Sequence, residues 1–312
     1  MTDAQTLTPK SPVCLMISGS GRSGTTILSV LLSQGENVMN IGQLRDIWLA
    51  WAGDASCTCG QGVCGCAFWG AVRQQTFADS TADDLRQTDK EMRQFMADAN
   101  VLRDWNDALA LRALADTHAA FLARLKSVVA TVLRLSGASV LVDSSKSPEF
   151  ALAVHLTGLV DLFVLNLVRD PRAVACSWVR KKPGKINQRI DAWTNRQKRL
   201  TGWHDIGSLH HRVLRYEDFV AAPAEHSAAV LQWVNETLPD GVFVTDTQAQ
   251  VTWEDQHLFP PSNETVLAEK REQVTIAAPT EWRRMKYWPL HLRVLLRSFP
   301  QGLAYVLKFG RA

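Results

Sequence analysis

The chain has 312 residues, of which 46% are hydrophobic and 21% are charged, and its formal net charge at pH 7 is +3. This length predicts one large α/β domain or two small ones, and either can bury a substantial core. The slight charge, without a basic tract carrying interleaved aromatic residues, argues against a nucleic-acid-binding protein. Residues 1–10 lack the apolar core of a signal peptide, and no uncharged stretch is long enough to cross a bilayer, so we expect a cytoplasmic protein.

The first predicted element is a buried strand over residues 13–18, which leads through a glycine-rich turn into an amphipathic helix. Residues 17–26 read Ile-Ser-Gly-Ser-Gly-Arg-Ser-Gly-Thr-Thr. Such a turn lets backbone N–H groups converge on an anion at the positively polarised end of a helix, so it predicts a phosphate site. The glycines keep the spacing of a nucleotide-binding P-loop, but Thr25 stands where that motif needs lysine, and Arg22 lies inside the turn. This departure argues against ordinary ATP or GTP hydrolysis. The alternative to a phosphate site is a plain flexible turn between the strand and the helix.

The six cysteines are unevenly distributed. Cys14 and Cys176 lie in apolar runs and are predicted to be buried thiols. The other four form the pattern C-x-C-x4-C-x-C, at Cys57, Cys59, Cys64 and Cys66. Four thiolates this close could bind zinc, although each pair is one residue closer than in the usual C-x2-C knuckle. Disulfides in an oxidising setting and plain thiols in a loop remain open.

A long helical insertion is predicted between the first strand and the next apolar run, over residues 82–98 and 104–135. In its second half, apolar residues recur at helical intervals, and the pattern stops at Gly137. This apolar stripe is expected to belong to the core or to the wall of an acceptor cleft.

The second half of the chain predicts more strands and helices of a parallel sheet. Residues 139–143 and 162–168 are apolar runs typical of strands buried on both faces. Helix starts are indicated after each run by Ser147-Pro148 and by Asp170-Pro171. A short strand over 212–216, a helix over 223–238 and a tail over 288–309 are predicted last. We expect the tail to dock onto the domain; contact with a membrane surface is the alternative.

A second anion site is predicted directly after the strand over 162–168. Arg169 falls at the carboxyl end of that strand, where ligands sit in open α/β sheets, and Ser177 lies two turns into the next helix. A guanidinium can hold a phosphate as a fork while a hydroxyl donates to it. The alternative is that Arg169 pairs with Asp170 and that Ser177 only lines a helix interface.

Together these motifs resemble the sulfotransferase family, in its bacterial and tyrosylprotein-type branch. Arg-Ser-Gly-Thr-Thr at 22–26 resembles the 5′-phosphosulfate loop, and Val-Arg-Asp-Pro-Arg-Ala-Val-Ala-Cys-Ser at 168–177 resembles the 3′-phosphate motif. Asp-Ser-Ser-Lys-Ser-Pro at 143–148 and Arg-Val-Leu-Arg-Tyr-Glu-Asp-Phe at 212–219 are similar to further family elements, as is Cys-Ala-Phe-Trp at 66–69. The resemblance runs in order over residues 13–235.

The resemblance implies a P-loop-like α/β fold with a central parallel sheet flanked by helices, and the donor 3′-phosphoadenosine-5′-phosphosulfate (PAPS). It assigns donor binding to Gly21, Arg22, Ser23, Gly24, Thr25, Thr26, Arg169, Ser177 and Tyr216. Arg22 would meet the charge that grows on the leaving 5′-phosphate, and Lys146 would balance charge on the sulfuryl group. A solvated Lys146 and a packed Tyr216 are the alternatives. A sulfuryl group carries less charge than a terminal phosphate, so no Mg²⁺ is expected.

One position departs from the family pattern. Related bacterial and tyrosylprotein enzymes place Gly-Glu shortly after the first helix, and that region supplies the general base; this chain has Gly42-Gln43. An amide can orient a nucleophile but cannot take a proton at neutral pH. Asp46 or His155 could replace the base, the acceptor could be an amine that needs little help, or the protein could bind PAPS without turnover.

The sequence thus predicts a PAPS-dependent sulfotransferase that acts on a hydroxyl or amine of a small-molecule or lipid-like acceptor. A catalytically silent nucleotide-binding homologue and a P-loop kinase are the alternatives. We expect one domain over residues 1–312, with parts at 13–45, 46–136, 137–240 and 241–312. The helical insertion and the stretch 245–287, with Trp253, Phe259 and Trp282, are expected to shape the acceptor pocket.

Overall fold

A parallel sheet of five strands organises the fold and confirms the predicted α/β class. The computed structural model describes residues 11–102, 105–181, 183–201, 209–259 and 269–309. The strand order is β2-β3-β1-β4-β5, and every neighbouring pair is parallel. These strands are β1 (Val13–Ser18), β2 (Val38–Gly42), β3 (Val140–Lys146), β4 (Asp161–Val168) and β5 (Leu209–Arg215). A small antiparallel sheet follows, with β6 (Phe243–Thr245), β7 (Gln248–Gln250) and β8 (Gln273–Thr275).

Helices connect the strands and cover the sheet. In the described ranges they are α1 (Thr25–Leu32), α2 (Ile47–Ala52), α3 (Ala67–Thr76), α4 (Ala82–Val101), α5 (Ala108–Thr117), α6 (Ala119–Ser136), α7 (Pro148–Leu156), α8 (Pro171–Lys181), α9 (Ile186–Thr201), α10 (Tyr216–Ala221), α11 (Pro223–Trp233), α12 (Trp288–Arg297) and α13 (Gln301–Phe309). Short 3₁₀ turns lie at Leu44–Asp46, Pro183–Lys185, Glu281–Arg283 and Met285–Tyr287.

The sheet is buried on both faces because successive side chains of a strand point to opposite sides. In β1, Cys14 and Met16 join one core with α2, α3, α4, α6 and α7, whereas Leu15 and Ile17 join another with α1, α10 and α11. All six residues of β1 are buried. This explains why β1 reads as a continuous apolar run rather than an alternating one. The predictions that Cys14 and Cys176 are buried are confirmed.

Several predicted boundaries need correction. The predicted helix over 104–135 is two helices, α5 and α6, which meet at His118; residue 104 lies outside the described residues. The Asp107 side chain accepts hydrogen bonds from the first turn of α5, and the His118 ring contacts Asp98 on α4, at 2.9 Å between Nε2 and Oδ2. The predicted helix over 223–238 ends at Trp233, because Asn235 takes a left-handed conformation with φ of 62°.

Two strand predictions also change. The strand predicted over 212–216 is β5, which begins at Leu209 and ends at Arg215, so that Tyr216 opens α10. The strand predicted over 139–143 continues to Lys146 as β3. Between β1 and β3 the chain also forms β2, which pattern alone did not indicate.

The tail packs on the domain through one side of each helix. Val294 in α12 is fully buried against α8 and α9, and the Tyr305 ring in α13 lies 6.3 Å from the Trp193 ring, centroid to centroid. The docking prediction is confirmed for the described residues, although Trp288 and Leu296 stay exposed. None of the helices described here has both the length and the apolar character needed to cross a membrane.

The parallel arrangement brings the ends of four strands to one edge of the sheet. Ser18, the last residue of β1, lies in register with Lys146 of β3 on one side and with Asn166 of β4 on the other. The turns that follow β1, β2, β3 and β4 therefore meet along this edge, which is where open α/β sheets place their ligands.

Candidate active site

The last residue of the glycine-rich turn after β1 has a backbone conformation that favours glycine. Gly24, which caps α1, has a left-handed φ of 83°. A Cβ at this position would lie 2.7 Å from Cε2 of Tyr216. Real Cβ atoms essentially never come so close to another heavy atom, so a side chain here would displace the Tyr216 ring. The turn and α10 are therefore fitted to each other.

Arg22 joins the glycine-rich turn to the predicted 3′-phosphate motif. Its backbone is left-handed, with φ of 75°. Its Nε donates a hydrogen bond to Oγ of Ser177 over 3.0 Å. Its own carbonyl oxygen accepts a hydrogen bond of 2.7 Å from the guanidinium of Arg169. The two predicted anion sites are thus the two halves of one continuous network.

Arg169 is a buried cation whose head group is only partly used by the protein. It is 7% exposed, and its guanidinium lies 4.2 Å from the centroid of the Tyr216 ring, within reach of a cation–π interaction. Its Nε is buried and has no hydrogen-bond partner among the described residues. Burial lowers the pKa of Arg169 from its usual value. The site would therefore gain from an anion placed against this group.

The alternative pairing of Arg169 with Asp170 is not what the structure contains. The Asp170 carboxylate instead holds Arg172, with 2.6 Å between Oδ2 and the nearer guanidinium nitrogen. The amide N–H of Asp170 donates to the Glu217 carboxylate over 3.1 Å. The neighbouring carboxylate is thus turned away to a different arginine, which leaves the Arg169 head group directed at the turn and at Tyr216.

Lys146 lies at the end of β3, beside the glycine-rich turn, and has a left-handed φ of 64°. The register between β1 and β3 is interrupted just before it, and such irregularities re-aim side chains at functional edges. Hydrogen bonds from Ser144 Oγ to the Gly42 carbonyl and from the Arg45 amide to Ser145 Oγ, both 3.1 Å, tie this end of β3 to the turn after β2.

One cavity collects most of the predicted donor-binding residues. Its lining includes Arg22, Gly24, Thr25, Thr26, Lys146, Arg169, Ser177 and Tyr216. Two predicted residues support the turn from behind: Ser23 Oγ lies 2.9 Å from Ser20 Oγ, and a Cβ at Gly21 would lie 2.8 Å from the Trp178 ring. Residues that sequence reasoning missed complete the wall, among them Arg180, Glu281 and Tyr287. Arg180 and Glu281 form an ion pair of 2.8 Å, which no local pattern signals.

The candidate bases lie elsewhere. Gln43 precedes the 3₁₀ turn that follows β2, and Asp46 is the last residue of that turn. Both lie next to the strand that carries Lys146 but outside the described lining of the cavity. Asp46 forms an ion pair with Arg45 over 3.2 Å, and both side chains are about one-third exposed. His155 is in the last turn of α7, near Asp161 at the start of β4, so the structure places it at the opposite edge of the sheet.

A buried carboxyl group on β3 was missed as a candidate. Asp143 is completely buried, and burial raises its pKa to about 7. Its Oδ1 accepts the amide N–H of Ser145, whereas Oδ2 has no partner among the described residues. A carboxyl that titrates near neutrality close to a cationic edge is a recognised mark of functional sites. The signal in the sequence was an aspartate directly at the end of an apolar run.

The three aromatic residues expected in an acceptor pocket lie in three different environments. Trp282 lines the cavity described above, with the Arg172 guanidinium 5.2 Å from its ring. Phe259 is buried in the core, with its ring centroid 4.9 Å from that of Trp69. Trp253 donates to the carbonyl of Arg271, close to the small sheet. Residues 260–268 of the expected acceptor stretch lie outside the described residues.

The four clustered cysteines do not converge as a set. Cys57, Cys59 and Cys66 group with His257, a residue that sequence spacing could not connect to them. Cys64 points away, and its thiol donates to the carbonyl of Trp51 over 3.4 Å. The structure therefore groups three of these thiols with one imidazole, whereas the zinc alternative in the sequence used all four thiols. The six cysteines are unpaired thiols in this structure.

The chain is an α/β protein whose cavity, lined by Arg22, Lys146 and Arg169, lies at the carboxyl edge of a parallel sheet. Residues 12–240 match the family model described as "Sulfotransferase family". The match spans more than half of the chain, so the chain belongs to the sulfotransferase family, which supports a transferase that moves a sulfuryl group. The comparison with curated proteins found no match to this chain.

Two solved sulfotransferase structures align with this chain. The sulfotransferase domain of the olefin synthase of Synechococcus PCC 7002 aligns with a TM-score of 0.52 and 15% identity, covering 97% of this chain and 98% of that one. Sulfotransferase STF1 of Mycobacterium tuberculosis H37Rv gives a TM-score of 0.40 and 15% identity, over 74% of this chain and 69% of that one. The first likeness agrees with the family in fold, and the second is too low to add to it.

Proposed function

We propose that this protein transfers a sulfuryl group from PAPS to a hydroxyl or amine of a small-molecule acceptor. The observation that carries the proposal is the cavity in which Arg22, Lys146 and Arg169 converge from three neighbouring strand ends. A cluster of three cations at a helix N-terminus favours a ligand that carries several negative charges. A donor with phosphate groups at both its 5′ and 3′ positions meets that requirement.

The two ends of the donor would engage different parts of the network. The 5′-phosphosulfate fits the turn, where the N–H groups of residues 23–26 and the hydroxyls of Thr25 and Thr26 lie at the start of α1. The 3′-phosphate fits Arg169, whose buried Nε lacks a partner in the described structure, together with Ser177, whose oxygen already accepts from Arg22 and whose proton can donate.

The purine of the donor would find aromatic surface in the same cavity. Trp282 and Tyr287 line the same cavity as Arg22 and Arg169. A base of any identity can stack on a flat aromatic ring, because every base has a π-face. Tyr216 has a different role, because its ring already lies against Gly24 and the Arg169 guanidinium.

The chemistry needs positioning and charge stabilisation more than a covalent partner. The acceptor oxygen or nitrogen attacks sulfur, the bond between sulfur and the bridging oxygen breaks, and the electron pair stays on the 5′-phosphate of adenosine 3′,5′-bisphosphate. Arg22 and the turn N–H groups stabilise that charge, and Lys146 balances the sulfuryl oxygens. The acceptor gives up one proton in the process. We expect no requirement for Mg²⁺, since the transferring group carries little charge.

Asp46 is our candidate for the group that receives this proton. It is partly exposed and follows the strand next to β3, whereas Gln43 can only orient the acceptor. The ion pair with Arg45 must open, or the proton must pass to water. A second candidate function is that of a homologue that binds the nucleotide without turnover. Gln43 favours this alternative, because an amide cannot accept the proton of the acceptor.

Two measurements test these assignments. Incubation with ³⁵S-labelled PAPS and a panel of phenols, alcohols, sugars and amines should label at least one acceptor, and a Lys146→Ala variant should label it far more slowly. Calorimetry should show tight binding of adenosine 3′,5′-bisphosphate without Mg²⁺. Tight binding without any labelled product would support the silent homologue. Tighter binding of ATP with Mg²⁺ than of the bisphosphate would instead favour a P-loop kinase.

A further inference from the structure

A short loop and a distant segment of the chain are held against each other outside the candidate active site. The amide N–H of Thr58 donates to the carbonyl of Leu258 over 2.9 Å, and the Leu258 amide donates to Thr58 Oγ1 over 2.8 Å. The indole N–H of Trp69 donates to the carbonyl of His257 over 2.5 Å. These bonds fix His257 beside the cysteine loop, about two hundred residues away in sequence.

Four potential metal ligands meet at this junction. Sγ of Cys57 lies 3.7 Å from Sγ of Cys66, which in turn lies 3.3 Å from Nδ1 of His257. With Sγ of Cys59, these atoms all lie within 4.8 Å of one another. A tetrahedral zinc ion, with Zn–S bonds of about 2.3 Å and a Zn–N bond of about 2.0 Å, requires about 3.8 Å between sulfurs and about 3.5 Å between sulfur and nitrogen. The Cys57–Cys66 and Cys66–His257 distances match these values, and Cys59 lies close enough to complete the ligand set.

The local backbone also favours thiolates over a disulfide. A disulfide needs about 2.05 Å between its sulfurs, far less than the separation of Cys57 from Cys66. Cys66 caps α3, so its sulfur lies at the positively polarised N-terminus of that helix. This position stabilises the negative charge that metal-bound cysteine carries.

We propose that Cys57, Cys59, Cys66 and His257 bind one Zn²⁺ ion in a structural site. Three soft thiolates and an imidazole in tetrahedral spacing are the ligand set typical of zinc. Four protein ligands complete the tetrahedron and leave no position for water or substrate, so the metal stabilises the fold and takes no part in the reaction.

The proposed zinc site lies beside the turn after β2, which carries Gln43. Leu258, next to the histidine ligand, lies 3.4 Å from the position of a Cβ on Gly42, and Phe259 packs on Trp69. Zinc bound here therefore clamps the segment around His257 against the turn after β2 and against α3. Loss of the metal should loosen this clamp and lower the stability of the whole chain, because structural zinc contributes directly to folding.

Metal analysis of the purified wild-type chain, without chelators, is the direct test. We expect about one zinc atom per chain by plasma mass spectrometry, and three additional thiols that become reactive after zinc is removed by a strong chelator. Cys66→Ser should lose the zinc. Cys64→Ser is the matched control, because this thiol lies in the same loop but outside the ligand set, and it should keep the zinc.

His257→Cys guards against a trivial folding defect in the ligand variants. It replaces the imidazole with a fourth thiolate, so it should retain zinc, whereas His257→Ala should bind it at least about 10-fold more weakly. Wild-type protein free of metal after growth in zinc-supplemented medium would overturn the proposal. So would a Cys57–Cys66 disulfide in non-reduced peptides, iron with visible absorption in place of zinc, or equal zinc loss from Cys64→Ser and Cys66→Ser.

Discussion

Replacing Arg169 by lysine tests whether this side chain holds the 3′-phosphate of the nucleotide. Lysine keeps the positive charge and can still donate to the Arg22 carbonyl, which now receives a hydrogen bond of 2.7 Å. It cannot offer the guanidinium fork or the buried Nε that has no partner in the described structure. The substitution therefore removes a donor to phosphate while it leaves most of the surrounding network in place.

The expected size of the effect follows from the burial of Arg169. At 7% exposure, the lost contact is a charge-assisted hydrogen bond screened little by water. Such bonds contribute about 1.5–3 kcal/mol, so Arg169→Lys should weaken binding of adenosine 3′,5′-bisphosphate by about 10- to 150-fold. Adenosine 5′-monophosphate lacks the 3′-phosphate, and its affinity should change little.

The test is titration calorimetry of adenosine 3′,5′-bisphosphate and adenosine 5′-monophosphate, each against the wild type and Arg169→Lys, at one fixed salt concentration. Arg212→Lys is the control, because Arg212 is exposed and lies over the Trp233 ring, away from the cavity lining. It should bind both nucleotides as the wild type does. If Arg169→Lys weakens the monophosphate and the bisphosphate equally, Arg169 does not grip the 3′-phosphate, and our assignment of the two anion positions is wrong.

Three other substitutions, one of them with a matched control variant, test separate parts of the account. Lys146→Ala should lower kcat by about 10²- to 10³-fold with little change in bisphosphate affinity, as for a group that acts on transition-state charge; a matching loss of affinity would contradict that role. Gly24→Ala should cost at least about 1–2 kcal/mol in chemical denaturation, since its φ is 83° and the new Cβ would lie 2.7 Å from the Tyr216 ring, and it should also weaken nucleotide binding. Gly137→Ala has a similar φ of 64° with open space around it, so it should lose stability alone; equal nucleotide affinity in the two variants would count against the fit of the turn to Tyr216. Asp143→Asn should alter how stability depends on pH: because the folded pKa is about 7 and the unfolded pKa about 3.9, the folded state binds the extra proton between these values, and the wild type should lose up to about 4 kcal/mol as pH rises through that window. Urea unfolding of both proteins across this range checks the difference, and parallel curves would show that Asp143 does not titrate there.

The parts of the site that the sequence predicted are contiguous motifs. The turn over 19–24 carries its conformation in its own glycines, and Arg169 and Ser177 lie on one strand-to-helix connection. Local chemistry of this kind acts within a few residues, so it can be read without the fold. The joining of these motifs by the Arg22–Ser177 hydrogen bond could be expected only after the parallel sheet was assumed.

The features that the sequence did not predict depend on contacts between distant segments of the chain. β2 is short and contains Asn40, so it lacks the long apolar run that revealed β1 and β4. His257 meets the cysteine loop only through tertiary hydrogen bonds, and spacing alone therefore favoured Cys64 as the fourth ligand. Trp282 belongs to a 3₁₀ turn that reaches the cavity from the far end of the chain, and no local pattern distinguishes it from Trp253.

The central claim is that one ligand spans both anion positions of this cavity, and a crystal structure with adenosine 3′,5′-bisphosphate tests it most directly. The account predicts the 5′-phosphate on the N–H groups of residues 23–26 beside Arg22, and the 3′-phosphate on Arg169 and Ser177. A nucleotide bound in another cavity, or one that leaves either the turn or Arg169 without a phosphate contact, would contradict it.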